Sequence, residues 1–350
     1  MRIEAIDLFC GAGGLTRGLI DAGIEVKAGF DIEESCRYAY EKNNEGAKFF
    51  HENIVNVKAD DLNKLWSKGA VRLLAGCAPC QPFSTAASAA KKEKVEKEPG
   101  AADPRYFLLN HFERLVKSTR PELVTMENVP RVRMHTPFQA FVGTLRAEGY
   151  EVWFDVVNCK ELGVPQTRKR LVLMASRIGA VPTAKDFPKS EVVTVRQALK
   201  DMAKLEAGQQ DPNDRIHIAR NLTPINMKRM RASKPGGSWL DWPEDLRVNC
   251  HTKESGESYR SVYSRMELDK PAPTMTTQFF NFGTGRFGHP TEDRTITPRE
   301  AAIIQSFPAD YKFIADDEKI YQMQLGKMIG NAVPPKLGYC IGKAFLSGVK

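Results

Sequence analysis

The first 180 residues alternate short apolar runs with amphipathic stretches, and this alternation constrains the fold more than any other feature. The runs "IEAIDLF", "VKAGFD", "VRLLAGC", "ELVTMENV", "YEVWFDVVNC" and "RLVLMAS" read as strands. Between them, "LTRGLIDAG", the stretch through Tyr38 and Tyr40, "YFLLNHFERLVKS" and "FQAFVGTLRAEG" carry helical spacing. Strand and helix at this interval imply an α/β fold: a doubly wound, mostly parallel, Rossmann-like sheet with helices on its faces. In such a sheet, ligands bind outside the carboxyl ends of the strands. Chemistry is therefore to be sought where strands end.

Near residue 180 the composition turns to proline, glycine and turn residues, as in "QQDPND", "ASKPGGSWLDWPED" and "NFGTGRFGHP". We expect a first domain over 1–180, a smaller loop- and strand-rich domain over 181–317, and a helical segment over 318–350 that returns to the first. One stretch inside the first domain, Ser84 to Ala102, is small and charged without large apolar side chains. It reads as a mobile loop, and beside a reactive group it would act as a lid.

The chain has 350 residues with 27% charged, an ordinary water-soluble composition. No apolar run reaches the roughly 18 residues that span a bilayer, so no membrane partner is expected. The N-terminus reads as a strand rather than a signal peptide, which implies the cytoplasm. Seven scattered cysteines fit reduced thiols better than a disulfide framework. The formal net charge is +8. More telling is its distribution: Arg215 to Leu240 holds six Lys or Arg and no Asp or Glu, which favours a phosphate-bearing partner.

Two strand ends carry the candidate chemistry. "DLFCGAGGLTRG" sets Gly11, Gly13 and Gly14 between a strand and a helix, where backbone can approach a ligand. The spacing is neither G-x-G-x-x-G nor a P-loop. Asp31 follows at the end of the next strand, where a carboxylate meets ribose hydroxyls. The ligand is then a nucleoside without an obligatory pyrophosphate, and S-adenosylmethionine fits. "LLAGCAPCQPFSTA" sets Cys77 and Cys80 after another strand. A metal pair, a redox pair and a single nucleophile are all readings of it. A structural zinc site would need two further ligands, and no second C-x-x-C is present, so no metal is expected. Glu127, in "TMENVP", ends the following strand and supplies the acid or base that a nucleophile needs.

With these motifs in this order, the chain resembles the DNA cytosine C5-methyltransferases of the bacterial modification type. "DLFCGAGG", "GCAPCQPFS", "DPRYFLL", "ENV", "GVPQTRKR", "REAAIIQSFP" and "IGNAVPP" each match a family motif. The resemblance implies that the first domain binds cofactor and catalyses, and that the second recognises the DNA target. It implies Cys80 as nucleophile, Glu127 as the group holding the cytosine ring, and Arg168 and Arg170 as substrate-positioning catalytic residues. S-adenosylmethionine, which leaves as S-adenosylhomocysteine, would be bound by Phe9, Gly11, Ala12, Gly13, Gly14, Asp31, Ile32, Asn53, Ile54, Pro79, Leu108, Asn331, Ala332 and Val333. Asn53 stands where the family often has Asp, and Ile32 where it often has a larger side chain.

The partner implied is double-stranded DNA, with the target base flipped out of the stack, and a cognate restriction endonuclease as functional partner. Lys228, Arg229, Arg231 and Lys234 are candidate phosphate contacts, and Thr274 and Arg286 candidate DNA contacts. Two other readings are an RNA cytosine methyltransferase of the same fold and a catalytically silent DNA-binding relative. Intact Cys80 and Glu127 argue against the second, and the long variable segment argues for DNA.

Overall fold

The computed structural model describes residues 2–83, 103–249, 251 and 262–348. The lid expected over Ser84–Ala102 lies outside the described residues. Two compact units divide the chain. The first holds 1–162, 169–190 and 333–350; the second holds 163–168 and 191–332.

The first unit runs β1 (Ile3–Leu8), α1 (Gly14–Ala22), β2 (Glu25–Asp31), α2 (Arg37–Asn43), β3 (Lys48–His51), α3 (Ala59–Asn63), β4 (Val71–Gly76), α4 (Leu108–Thr119), β5 (Leu123–Asn128), α5 (Thr136–Ala147), β6 (Glu151–Asn158) and β7 (Lys169–Ser176). Among the described residues these seven strands form one sheet in the order β3-β2-β1-β4-β5-β7-β6. The first five are parallel to one another, and β7 runs antiparallel to both β5 and β6. Every residue of β1 and of β5 is buried. Continuous burial is what helices on both faces of a parallel sheet require, and it explains why these strands read as mostly apolar runs. Phe112, Phe141, Leu145, Met126 and Leu173 belong to the core this creates.

The order reverses between β1 and β4, so both strand ends open on the same switch point. Leu8 pairs with Gly76, and the Cys77 amide donates to the Leu8 carbonyl at 3.2 Å. Gly76 in turn pairs with Met126 on β5. The glycine turn, the cysteine loop and Glu127 thus leave three adjacent strands at one level.

The second unit contains α6 (Val195–Ala198), a two-stranded ribbon of β8 (Gln210–Asp211) and β9 (Asp214–Ile218), α7 (Pro224–Ala232), α8 (Pro298–Ile304) and α9 (Gln322–Gly330). Its connecting segments are long, and it has a small aromatic core of Met230, Trp239, Trp242, Leu246 and Phe282. The last helix, α10 (Pro335–Gly348), belongs to the first unit and packs on α1.

The units divide elsewhere than at 180 and 317. Residues 181–190 stay with the first unit, where the Val181 amide donates to Glu151 Oε2 at 3.2 Å. Residues 163–168 join the second, where the Thr167 amide donates to the Ala272 carbonyl at 2.8 Å. Helix α9 does so too, because Gly326 and Gly330 let it approach the backbone of Thr276 and Thr277. Among the described residues no helix is long and apolar enough to cross a membrane.

Candidate active site

Glu127 is the centre of the site. It sits at the end of β5 and is buried. A buried carboxylate needs partners, and two approach it from neighbouring elements. Cys77, the first residue after β4, donates its thiol to Glu127 Oε2 at 2.8 Å. Arg170 on β7 places Nε 2.8 Å from Oε1. Antiparallel pairing explains the second contact: Glu127 lies opposite Val172, so the start of β7 arrives at the end of β5. The arginine's approach is off the hydrogen-bonding direction, and Oε1 accepts no hydrogen bond. One oxygen of the carboxylate is therefore held by a hydrogen bond, while the other is buried against the Arg170 guanidinium and compensated by its charge.

Burial, with the Glu127 charge and its hydrogen bond, pushes the Cys77 thiol well above the usual range. Cys77 is therefore a neutral donor at working pH, not a thiolate. Cys80, three residues on, is half-buried and opens a short turn through Phe83, whose amide donates to the Cys80 carbonyl at 3.0 Å. Asn128 braces this loop, giving Nδ2 to the Ala78 carbonyl at 2.9 Å. Pro79, between them, is half-buried. The C-x-x-C pattern thus separates into a thiol turned to Glu127 and a second thiol on the braced loop. Among the described residues no cluster of three His, Cys, Asp or Glu is arranged to hold a metal.

The glycine turn lies beside this loop. Phe9, Gly11 and Gly13 have positive φ, at 60°, 51° and 88°, so the chain leaves β1 in a tight left-handed path that favours glycine. A Cβ on Gly11 would meet nothing within 4 Å, so the space over the turn is open. Asp31 Oδ2 accepts the Gly11 amide at 2.7 Å and Oδ1 the Glu33 amide at 2.9 Å. Burial raises the Asp31 pKa, opposed by these hydrogen bonds. Phe9 is half-buried, Ile32 is 60% exposed, and Ala12, Gly13 and Gly14 are buried. Ile54 is buried, while Asn53 turns its side chain back on its own loop, accepting the Val55 amide at 3.1 Å. Leu108, at the start of α4, is half-buried.

Other predicted residues lie in the second unit. Arg168 is buried and gives its guanidinium to the carbonyls of Met275 and Ala332, each at 3.2 Å. Asn331 is exposed and Ala332 half-buried there, and the division between units falls just before the buried Val333. Thr274 donates to the Thr167 carbonyl at 3.3 Å. Arg286 is half-buried, with a buried Nε that makes no hydrogen bond. Lys228 and Lys234 are exposed. Arg231 pairs with Asp293 at 3.1 Å. Arg229 lies over the rings of Trp242 and Tyr263 and donates to the Leu246 carbonyl at 2.8 Å, so its charge is engaged inside the unit.

Sequence reasoning missed Cys77 as the partner of Glu127 and Asn128 as the brace. The signal for both was the pairing of β4 with β5, which sets residues fifty positions apart side by side.

This sheet order, with an antiparallel seventh strand and a ligand-ready glycine turn, defines a methyltransferase-type α/β fold. A prophage-encoded protein of E. coli has the same fold, with a TM-score of 0.73 at 20% identity over 99% of both chains. The Dnmt2 methyltransferase of S. pombe superposes with a TM-score of 0.61 at 17% identity over 99% of both chains. The family model for C-5 cytosine-specific DNA methylase matches residues 3–347. Type II methylase M.HgiDII of Herpetosiphon aurantiacus is 44% identical over 98% of this chain and 96% of its own. Type II methyltransferase M1.HphI of Haemophilus parahaemolyticus is 33% identical over 99% of this chain and 87% of its own. The chain belongs to the C-5 cytosine-specific DNA methylase family, and it is a DNA (cytosine-5-)-methyltransferase.

Proposed function

We propose that the protein methylates C5 of a cytosine turned out of a specific duplex DNA sequence, through a covalent bond between Cys80 Sγ and C6. The observation that carries this reading is the buried Glu127 carboxylate, one oxygen hydrogen-bonded by Cys77 and the other paired by charge with Arg170, one strand away from the Pro79–Cys80 loop. C5 of cytosine is a poor nucleophile. Addition of the Cys80 thiolate to C6 gives C5 enamine character. Glu127 holds the N3 and amino edge of the ring and relays a proton to N3 as sulfur adds, which offsets the charge entering the ring. Arg170 compensates the carboxylate and turns toward the O2 edge. After methyl transfer water takes the C5 proton, the C5–H electrons close the C5–C6 double bond as the C6–Sγ bond breaks, and N3 gives its proton back through Glu127, returning the thiolate.

The methyl source that fits is S-adenosylmethionine, whose sulfonium supplies an electrophilic methyl when bound. The donor set suits it: open space over Gly11, a carboxylate at the end of β2, and the apolar surfaces of Phe9 and Ile32. Asp31 would accept from the ribose hydroxyls, and the turn's backbone would meet the amino-acid tail. Val333, Pro79, Leu108, Asn53 and Ile54 are assigned to cofactor binding by resemblance, as are Asn331 and Ala332. Arg168, buried on two carbonyls, braces its own unit in this reading rather than touching the base. The second unit reads the target. Because similar proteins carry Type II names, we place the protein as the modification half of a restriction–modification pair in the cytoplasm.

The test is covalent trapping on duplex DNA carrying 5-fluorocytosine at the target, where no C5 proton can leave. Wild type and Cys77→Ala are expected to form the adduct, and Cys80→Ser to form none. An adduct through Cys77 would overturn the assignment. Methyl transfer to tRNA but not DNA would shift the substrate to RNA.

A further inference from the structure

We propose that Cys77 is a positioning residue for the methyl-transfer reaction, its thiol fixing the Glu127 carboxyl so that Oε1 is the oxygen presented to the base. The inference rests on the reading of Glu127 given above.

A carboxylate rotates about its last bond unless a directed contact fixes one of its oxygens. Here the Cys77 thiol holds Oε2 at 2.8 Å, and Arg170 stands 2.8 Å from Oε1 without a directed hydrogen bond. The arginine supplies charge and the thiol supplies direction. Position 77 suits this because Gly76 pairs with Met126, which brings Cys77, just past the end of β4, beside Glu127 on β5.

The chemistry of a thiol suits it as well. The charged or titratable groups around it are Glu127 on β5, Arg170 on β7 and Cys80 on its own loop. Burial and the Glu127 charge keep the Cys77 thiol protonated, so it adds a donor without adding a second negative charge. Sulfur is also a weak donor. It orients the carboxylate without neutralising it and leaves Oε1 the stronger acceptor for the ring. Alanine or glycine at 77 would leave Oε2 buried without a partner, and serine would restore the donor.

The test is single-turnover methyl transfer on duplex target DNA, with Kd values for DNA and methyl donor measured alongside. Cys77→Ala is expected to slow transfer roughly 10- to 150-fold, the range of one hydrogen bond to a charged group, with both Kd values unchanged. Cys77→Ser is expected to recover most of the rate. In a Glu127→Gln background, Cys77→Ala should cost nothing further, because its partner's charge is already gone. A Cys77→Ala rate equal to wild type, or the same loss in both backgrounds, overturns the proposal. If Cys77→Ala melts early, Cys77→Gly serves in the same cycle. Wild-type turnover by Glu127→Gln would instead sink the reading of Glu127 itself, a separate outcome.

Discussion

Asp7 shows how one residue can cost stability where the chain needs shape. It ends β1 beside the glycine turn, fully buried, with Thr16 Oγ1 donating to Oδ2 at 2.8 Å and Oδ1 left without a hydrogen bond. Burial, opposed by the Thr16 bond and helped by the Asp31 charge, lifts its pKa from 3.8 to about 7. The folded pKa is above the unfolded one, so the folded state binds the proton more tightly. The group's contribution is fully present below pH 3.8 and is lost as pH rises through about 7. Asp7→Asn keeps an acceptor for Thr16 and removes the charge. Its stability relative to wild type should therefore climb between about pH 4 and 7 and then level, by roughly 4 kcal/mol at most. Denaturant unfolding of both proteins at pH 4.5 and pH 8 measures this. A gap that is the same at both values would mean that Asp7 does not titrate in this window.

At the scale of elements, the contact between α1 and α10 ties the end of the chain to its beginning. A Cβ on Gly18 would lie 2.2 Å from the Pro335 carbonyl oxygen and 2.6 Å from the Tyr339 amide. Those are backbone atoms that no rotamer change can move. A Cβ on Gly342 would meet Ala22 Cβ as closely, at 2.6 Å. Gly18→Ala should lower stability by about 1–3 kcal/mol despite alanine's better helix propensity. Thermal melting reads this directly, and an unchanged or raised melting temperature would mean that the helices can part at little cost. Six of the seven strands of the first unit were legible in the sequence as mostly apolar runs, whereas β3, four residues with both ends exposed, and the five-residue α3 were too short to stand out. Glu127 and Cys80 were legible as candidates because each falls where an apolar run gives way to polar or turn residues. The unit boundaries were not, because proline and glycine mark loops, and a loop's allegiance depends on its partners. Residues 181–190 pack back on Glu151, and α9 closes on Thr276, and neither contact has a local signal. Cys77 was hidden for a related reason: the C-x-x-C pattern draws attention to Cys80 along the chain, while its partner is across the sheet.

For the whole molecule the question is how a chain of net charge +8 separates general DNA affinity from target choice. The basic stretch around α7 is not uniform. Arg229 is engaged with Trp242, Tyr263 and the Leu246 carbonyl, and Arg231 with Asp293, while Lys228 and Lys234 are exposed. Of the four, the two lysines are the better placed to meet phosphates, which bind by charge and carry no sequence information. Lys228→Ala and Lys234→Ala should each weaken binding alike on target and non-target duplexes. Each should also flatten the slope of log affinity against log salt by about 0.9. Arg229→Ala should act differently: it removes packing from the aromatic core, so its main effect should be a lower melting temperature. Fluorescence anisotropy over a salt series, with melts of each variant, separates these outcomes. An unchanged salt slope with altered target preference would make the lysines base readers instead. Unaltered stability in Arg229→Ala, with a flattened slope, would return that arginine to the phosphates.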